Sequence, residues 1–222
     1  VVNKPGVWGT YMDAVYPGRP IIEGGQTSTG SVIAWVKRQF AEATSFEDLN
    51  RAAAAIEPGS EGLLVLDHFQ GNRTPYTDAL SRGAITGLSL KHTPAHVFRA
   101  IIEGICYGTR LIIDNFGDAF EAKRIVVAGG ATNSPLWLQI HADTLGAPLQ
   151  LTEVADAPAL GCAILAAKGV GRFETIEDGC AAMVRPTTTV EPNPGATAAY
   201  APFQARYGAL YGALQSVRKL EA

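Results

Sequence analysis

The chain has 222 residues, 47% of them hydrophobic, and a formal net charge of −3. This length and composition are those of an ordinary globular protein with one substantial core or two small ones. Basic and acidic residues are interspersed, which excludes the basic surface of a nucleic-acid-binding protein or of a protein that docks on an anionic membrane.

The compartment is predicted from the cysteines and from the absence of targeting patterns. Cys106, Cys162 and Cys180 are odd in number and lie in apolar, helix-like surroundings, which indicates buried thiols in a reducing compartment rather than a disulfide framework. No apolar run approaches the roughly 18 residues of a membrane helix, and no secretory signal opens the chain. We therefore expect a cytoplasmic location. Because the first residue is Val1, we also expect further sequence upstream.

The first quarter of the chain predicts strands followed by helices. Residues 1–20 are rich in proline, glycine and aromatic residues and predict short strands with turns. The sequence EGGQ at residues 23–26 leads into an apolar face at helical spacing over residues 30–40, so a glycine-rich turn opens a helix there. Ser45 is the expected N-cap of a short helix over residues 46–56.

The middle of the chain predicts two strands and a long helix. Residues 63–69, LLVLDHF, predict an apolar strand, and after a polar loop a second strand is expected at about residues 84–90. Thr93 and Pro94 are expected to start a long helix that stops near Gly117.

The stretch over residues 124–146 joins a strand, a glycine turn and a capped helix without a gap. Residues 124–128 predict a buried parallel strand that stops at Gly129 and Gly130. The helix that follows has the residue types expected at its N-cap, its first position and its C-terminal end, which are Ser134, Pro135 and Gly146.

Such a junction places unpaired backbone N–H groups and the positive end of a helix dipole at the carboxyl edge of a sheet. Nucleotides and phosphates bind at this place in many α/β proteins. On this stretch alone, a plain connection between strand and helix is an equal alternative. The glycine spacing matches neither GxGxxG nor a Walker loop.

The remaining residues predict a strand, two small helices and an aromatic helix. A strand is expected at residues 148–152, a helix of small residues that can lie close to a sheet at 157–168, and a short helix at 175–184. Residues 183–195 predict a turn-rich linker. Arg206 is the single basic residue within the aromatic stripe of the final segment, so we expect the stripe to pack in the core rather than stack on bases; it consists of Tyr200, Phe203, Tyr207, Leu210, Tyr211 and Leu214.

The histidines and Arg73 have structural explanations. His92 and His96 have the spacing of a zinc site, but Pro94 places the helix start after His92 and no third ligand is near, so we expect no metal site. His141 is predicted to be a structural or surface imidazole. We expect Arg73 to pair with a carboxylate rather than to meet a phosphate or sugar.

The carboxylates leave the choice of a general base open. Glu23 precedes two glycines at a helix start, where it either faces a ligand or hydrogen-bonds to backbone N–H groups. Asp13, Asp67 and Asp78 lie in or beside loops. Nothing in their spacing makes any of them a general base in preference to a turn residue.

Four groups of segments stand in a recognisable order. They are PGVWGTY with EGGQTSTG, DHFQGNRTPYTD with SRGAITGLSL, RAIIEGICYGTR, and AGGATNSPLWLQIHADTLGAP followed by ALGCAILAAKG. In order and spacing they resemble the C-terminal domain of the FGGY carbohydrate kinases, the group that includes glycerol kinase, xylulokinase and the ribulokinases. The resemblance covers nearly the whole chain and is closer to ribulokinase-like members than to glycerol kinase.

The resemblance implies an α/β fold of the actin-like, ribonuclease-H-like ATPase class, with a mixed sheet flanked by helices. In this family one wall of an interdomain cleft holds ATP with Mg²⁺. The glycine turn lies against adenosine, the next helix start contacts the purine or ribose, and a second glycine-rich helix start lies near the nucleotide. The implied nucleotide-binding residues are Gly30, Gly129, Gly130, Ala131 and Ser134. Ala34 replaces a glutamine of some members, and Glu23 is the implied sugar contact.

The resemblance also implies what lies outside the chain. Upstream of Val1 would be the N-terminal sugar-binding domain and the first strands of this domain, with the phosphate loops and the aspartate that serves as catalytic base. Residues 1–222 would then be a C-terminal nucleotide-binding domain that is inactive alone and contains neither a catalytic nor a metal-binding residue. Its partners would be a sugar or polyol, the N-terminal domain and, since such kinases are often dimers, a second copy.

Three functions are considered on these grounds. The leading one is the ATP-binding part of a carbohydrate kinase that phosphorylates a ketopentose or a related polyol. The second is a non-catalytic actin-like module that binds a nucleotide for regulation or assembly, and the upstream sequence would discriminate between these two. The third, half of a Rossmann-type dehydrogenase, is disfavoured because the glycine spacing is wrong.

Overall fold

The computed structural model describes residues 3–117 and 122–218, which form seven β-strands and seven α-helices. The strands are β1 (Trp8–Met12), β2 (Pro20–Glu23), β3 (Leu64–Leu66), β4 (Ala84–Thr86), β5 (Ile125–Val126), β6 (Leu149–Thr152) and β7 (Pro186–Val190). The helices are α1 (Gly30–Phe40), α2 (Phe46–Ala54), α3 (Pro94–Phe116), α4 (Pro135–Leu145), α5 (Ala157–Gly169), α6 (Ile176–Met183) and α7 (Pro194–Arg218). Val1 and Val2, which open the predicted strand-and-turn segment, lie outside the described residues. None of the described helices is both long and apolar enough to span a bilayer.

The strands form three small sheets, and the third is mixed. β1 pairs with β2, and β3 pairs with β4, both antiparallel. β5 lies parallel to β6, and β7 adds antiparallel to the other side of β6. The connection from β5 to β6 contains α4, as parallel strands require a crossover and usually use a helix. The predicted mixed sheet flanked by helices is therefore confirmed.

Helix boundaries follow the capping residues that the sequence predicts. Ser45 and Ser134 each accept a hydrogen bond from a backbone N–H of the first turn of their helix. α3 begins at Pro94 after Thr93. Gly146 ends α4 with φ 60, in the left-handed region that glycine tolerates.

α3 is at the centre of the main core. Its Ile101, Ile105 and Cys106 side chains are fully buried, and the helix contacts α1, α2, α4, α7 and β3. A Cβ atom at Gly104 would lie 2.6 Å from the carbonyl oxygen of Val65, so this glycine lets α3 lie directly against β3. A smaller apolar cluster joins α4 to β6 through Ala142, Leu145 and Leu149.

The aromatic stripe of α7 packs in the core, as predicted. Tyr200 and Tyr207 are buried. The Tyr200 hydroxyl accepts a hydrogen bond from Arg99 of α3 at 2.8 Å, and the Tyr207 hydroxyl donates a short hydrogen bond to Asp67, which follows β3. The stripe thus fastens α7 to α3 and to the end of β3.

Three elements differ from the predictions. Residues 186–190, expected to belong to a turn-rich linker, form β7, because their β-branched side chains suit an extended edge strand and Pro186 stands at its first position. α5 packs against α6 rather than against a sheet, and most of its small residues are exposed. β5 has two residues, and Val126 is 48% exposed, because β5 has a neighbour on one side in the described part of the chain.

The prediction that all three thiols are buried is right for Cys106 and wrong for Cys162, which is exposed on α5. α5 buries little of its surface, which leaves the side chain of Cys162 in solvent. Cys180 is half-buried, and its Sγ atom lies 3.2 Å from the Tyr16 hydroxyl. The described cysteines are free thiols, as expected.

We expect iodoacetamide to modify Cys162 first in the folded chain and Cys106 only after unfolding. Cys106 is buried, and burial raises the pKa of its thiol well above the ordinary value, so little reactive thiolate is available. Timed labelling followed by mass spectrometry of the peptides measures both rates. Labelling of Cys106 in the folded chain at the rate of Cys162 would contradict the central position of α3.

Candidate functional site

A cavity of about 530 Å³ opens between the start of α1, residues of α2 and the glycine turn before α4. Its volume lies in the range of small-molecule binding sites. Apolar and polar side chains share the lining, which consists of Thr29, Gly30, Ile33, Phe46, Asn50, Phe98, Ile102, Ala128, Gly130, Ala131, Asn133, Ser134 and Trp137. The start of α1 and the glycine turn before α4, which are far apart in sequence, therefore meet at one cavity.

The first wall is the start of α1, and the turn that precedes it is anchored to the core. Gln26 Nε2 donates to Asp67 Oδ2 at 2.7 Å, and Thr27 Oγ1 donates to the carbonyl oxygen of Gly71 at 2.7 Å. A Cβ atom at Gly30 would meet no other atom within 4 Å. The backbone of Gly30 is therefore open to a ligand in the cavity.

The second wall is the turn from Gly129 to Ser134. Gly129 has φ 88, which favours glycine, and its N–H donates to the carbonyl oxygen of Ala155 at 2.8 Å. The Ser134 hydroxyl accepts from the Trp137 backbone N–H at 3.3 Å and donates to Asn50 Oδ1 at 2.9 Å. The serine that caps α4 thus also ties this helix to α2.

Trp137 belongs to the cavity lining and carries an indole N–H that the described residues leave unpaired. Its Nε1 atom is buried and has no hydrogen-bond partner within the described residues. The ring stacks on His141, with 5.9 Å between the centroids. Buried indole N–H groups usually have a partner.

Four of the predicted nucleotide-binding residues line the cavity: Gly30, Gly130, Ala131 and Ser134. Gly129 belongs to the same turn but is not among the lining residues. Ala34, on α1, is also outside the lining.

Glu23 lies at the end of β2, before the first glycine turn. Its Oε2 atom accepts a hydrogen bond from Arg73 Nη2 at 2.8 Å, and the Arg73 guanidinium lies 4.9 Å from the centre of the Trp8 ring. The prediction that Arg73 pairs with a carboxylate is confirmed. The partner of Glu23 is therefore an arginine and not the neighbouring backbone N–H groups. The Glu23 side chain remains 48% exposed.

The cavity lining has no charged side chain among the described residues. Ile33, Phe98 and Ile102 supply apolar surface for a flat base, and the glycines allow close approach of the backbone. A negatively charged triphosphate would find no counter-charge in this lining. The residues present fit the adenosine part of ATP and leave the phosphates outside the cavity.

The histidines have the structural roles that the sequence suggests. Burial lowers the pKa of His141 to about 4, so its ring is neutral near pH 7, and it lies 3.0 Å from Cys106 Sγ and 3.2 Å from Thr109 Oγ1. His92 precedes α3, and His96 Nδ1 accepts from the Thr93 backbone N–H at 3.2 Å in a capping box. No group of three metal-ligating side chains occurs within residues 3–117 and 122–218.

Asn50 and Trp137 were not predicted from the sequence, and the role of Asp67 was left open. No local pattern marks Asn50 or Trp137, because α2 and α4 meet only in the folded chain. Asp67 had a usable signal, since a carboxylate directly after an apolar strand is a common functional position in α/β proteins. In the structure Asp67 is 5% exposed and hydrogen-bonds to Gln26 of the first turn and to Tyr207 of α7.

The free energy of unfolding should depend on pH through the titration of Asp67. Burial raises the pKa of Asp67 from the ordinary 3.8 to about 6. The hydrogen bonds from Tyr207 and Gln26 lower this pKa, but burial has the larger effect. The folded state therefore holds the proton more tightly than the unfolded state. This stabilisation is complete below pH 3.8 and is lost as the pH rises through about 6.

We therefore expect the free energy of unfolding of the native chain, relative to Asp67→Asn, to fall by about 2 kcal/mol between pH 4 and pH 7. Urea unfolding of both proteins at a series of pH values measures this difference. Parallel pH profiles for the two proteins would show that Asp67 titrates normally.

Comparison with known proteins connects these features to a family. Residues 1–170 match the C-terminal domain of the FGGY family of carbohydrate kinases. The xylulose kinase of Staphylococcus epidermidis is 36% identical over 83% of this chain and 37% of its own length. The ribulokinase of Bacillus licheniformis is 32% identical over 93% of this chain and 41% of its own length. The chain thus spans about two fifths of the length of these relatives.

Solved structures agree with the sequence comparison. The xylulose kinase of Rhodospirillum rubrum superposes with a TM-score of 0.76 at 30% identity, over 92% of this chain and 42% of that protein. The glycerol kinase of Plasmodium falciparum, solved with ADP, shares the fold with a TM-score of 0.71 at 17% identity, over 86% of this chain and 38% of that protein. The predicted actin-like ATPase fold is confirmed by these neighbours.

Proposed function

This chain belongs to the FGGY family of carbohydrate kinases, and we propose that it forms the nucleotide-binding part of an ATP-dependent sugar kinase. The whole enzyme transfers the γ-phosphoryl group of ATP to a hydroxyl of a ketopentose or a related sugar or polyol. Relatives named xylulose kinase and ribulokinase support the ketopentose class.

The observation that carries this proposal is the shared cavity between the two glycine-rich turns. Gly30 and Gly130 both line it, and neither has an atom within 4 Å of where a Cβ would stand. A flat nucleoside that is tightly enclosed needs backbone that it can approach closely. The two glycines provide such backbone at two sides of an uncharged cavity.

The residues of this chain bind and orient the nucleoside. The backbone at Gly30 and Gly130 lets the adenosine approach closely, and the Trp137 ring gives it apolar surface. The Ser134 hydroxyl, held by Asn50, has a remaining lone pair for a ribose hydroxyl. When bound, ATP with Mg²⁺ supplies the phosphoryl group and the charge neutralisation of its transfer. Positioning the nucleoside in this way places the γ-phosphate for an in-line reaction.

The other parts of the reaction belong to the rest of the enzyme in this proposal. Residues 1–222 are its C-terminal nucleotide-binding domain. The N-terminal domain and the first strands of the present domain bind the phosphates and Mg²⁺ and supply the base that accepts the sugar hydroxyl proton. The uncharged lining of the cavity supports this division, since it has no cation for the phosphates.

Glu23 is the proposed contact to the sugar. It lies directly before the turn that leads to Gly30, so one short segment positions both the carboxylate and one wall of the nucleotide cavity. Its ion pair with Arg73 at 2.8 Å fixes the carboxylate while leaving it half exposed. An exposed, oriented carboxylate can accept hydrogen bonds from sugar hydroxyls.

The proposed partners follow from this role. They are the sugar or polyol, the N-terminal domain of the same enzyme and a second copy in a homodimer. The proposed location is the cytoplasm, where ATP and a reducing environment for the free thiols are available.

A coupled ADP-release assay tests the proposal. We expect no turnover above background when this chain alone is given ATP, Mg²⁺ and xylulose or ribulose, and turnover when the chain is extended by its upstream sequence. Turnover by the chain alone would refute the division of labour between the domains. Binding of ATP by the extended protein without turnover on either ketopentose would favour the non-catalytic module.

A further inference from the structure

Gln26 lies in the turn before α1, and its side-chain amide forms hydrogen bonds through both of its polar atoms. Nε2 donates to Asp67 Oδ2 at 2.7 Å and to the carbonyl oxygen of Ile105 at 2.9 Å. Oε1 accepts from the Thr109 hydroxyl at 3.0 Å. One side chain therefore joins the first wall of the nucleotide cavity to the end of β3 and to α3.

The same set of contacts reaches the second wall through α4. Thr109 Oγ1 lies 3.2 Å from His141 Nε2, and the His141 ring stacks on Trp137 at an angle of 15°. Gln26, Thr109 and His141 also line a smaller cavity of about 330 Å³, which shares Thr29 and Trp137 with the nucleotide cavity. The hydrogen bonds of Gln26 therefore connect the two walls at a place that adjoins the proposed nucleotide site.

At its other end this network is held by α7. The buried Tyr207 hydroxyl donates to Asp67 Oδ1, and Tyr207 is not among the residues that line the nucleotide cavity. A Cβ atom at Gly108 of α3 would lie 2.5 Å from Gln26 Nε2 and 3.0 Å from both Asp67 Oδ2 and the Tyr207 hydroxyl. The glycine thus provides the room in which three polar side chains from separate elements meet on α3.

We propose that Gln26 is a positioning residue of the nucleotide site, which holds the start of α1 and the start of α4 at the separation that a nucleoside needs. The inference rests on the proposed nucleotide-binding function. Gln26 does not line the nucleotide cavity itself, so it acts through the backbone that leads to Gly30 and, by way of α3, through Trp137. An amide suits this role because it donates and accepts hydrogen bonds at the same time. Leucine, of similar size, can do neither.

The test is isothermal titration calorimetry of the full chain with ADP, at a temperature where thermal unfolding shows each variant to be folded. Gln26→Leu should weaken ADP binding about tenfold, and Tyr207→Phe, which removes only the hydroxyl that orients Asp67, about threefold. Tyr211→Phe is the matched control on the same helix. It removes a hydroxyl that donates to Asp78 Oδ2 at 3.0 Å, outside this network, and should leave the affinity unchanged.

Two further measurements distinguish positioning from a loss of stability alone. In the ligand-free chain, Gln26→Leu should shift the NMR signals of the Gly130 amide and the Trp137 indole, which belong to the opposite wall. Thr109→Val should weaken ADP binding about threefold in the native background and have little effect in Gln26→Leu, because both changes cut the same connection. A purely structural role would leave both signals in place and make the two losses of affinity independent.

The outcomes separate this inference from the proposed function. If the native chain binds ADP and Gln26→Leu, Thr109→Val and Tyr207→Phe bind it equally well, the inference is wrong and the nucleotide site stands. Unchanged Gly130 and Trp137 signals in ligand-free Gln26→Leu would also overturn it. Should Gln26→Leu fail to fold, the two milder variants still test it. Failure of the native chain to bind ADP would refute the nucleotide site, and this inference with it.

Discussion

Gly30→Phe is expected to abolish nucleotide binding while leaving the fold intact. Gly30 is the first residue of α1 and lines the cavity, and a Cβ atom there would meet no other atom within 4 Å. A side chain at this position is therefore tolerated by the protein and occupies space that the nucleoside needs. We expect ATP affinity to fall by about a hundredfold or more, with an unchanged melting temperature. Isothermal titration calorimetry and thermal unfolding measure the two quantities.

Gly161→Phe is the matched control for this change. Gly161 also stands in a helix, and a Cβ atom there would also meet no atom within 4 Å, but the residue is on α5, away from the cavity. It should leave ATP binding unchanged. If Gly30→Phe bound ATP as tightly as the native chain, the nucleotide would have to lie somewhere else.

Glu103→Leu is expected to lower the free energy of unfolding by about 3–5 kcal/mol, the largest effect on stability that we predict. Glu103 is 1% exposed and accepts hydrogen bonds from Arg99 Nε at 2.8 Å, the Ser60 hydroxyl at 2.9 Å and the Gly59 N–H at 3.1 Å. Removing the carboxylate leaves the buried guanidinium of Arg99 without its counter-charge. Urea unfolding at neutral pH measures the loss.

The double variant Arg99→Met with Glu103→Leu distinguishes the cost of an unpaired buried charge from the cost of altered packing. It removes both charges and should recover much of the loss, because replacing a whole buried ion pair by apolar residues of similar volume is often neutral or stabilising. Tyr200 then loses the hydrogen bond that its hydroxyl accepts from Arg99, so recovery is expected to be incomplete. Arg99 also donates to the carbonyl oxygen of Ala53 in α2 at 2.9 Å. A double variant less stable than Glu103→Leu would show that the hydrogen bonds of Arg99 to Ala53 and Tyr200 stabilise the fold.

The elements around the nucleotide cavity could be predicted because their signals are local. Ser134 and Pro135 suit a helix start whatever surrounds them, and Gly129 and Gly146 adopt left-handed backbone that other residues avoid. The long helix α3 has the same kind of signal in Thr93 and Pro94. These requirements act within a few residues, so tertiary packing did not override them.

The misassigned elements depend on contacts between distant residues. Residues 186–190 look like a linker between prolines and become a strand only because β6 offers an open edge. Cys162 is exposed because little of the described chain covers α5. No pattern within the sequence of this helix predicts which of its faces is covered. Sequence periodicity identifies an apolar face but not the surface that covers it.

The glycine turns of the candidate site and its Ser134 could be predicted from the sequence, whereas Asn50 and Trp137 could not. The glycines that line the cavity belong to recognisable turns. Asn50 and Ser134 are 84 residues apart in sequence, and their hydrogen bond exists only because α2 and α4 pack together. The unpaired donor of Trp137 is likewise a property of the packed cavity. Pairings of this kind have no local signature.

A titration of the ¹⁵N-labelled chain with ADP tests most directly whether both glycine turns bind one nucleotide. We expect the backbone amides of Gly30 and Gly130 and the indole N–H of Trp137 to shift together, with a single dissociation constant, while the indole signals of Trp8 and Trp35 stay in place. Shifts at one turn without the other, or an unchanged Trp137 indole at saturating ADP, would contradict it.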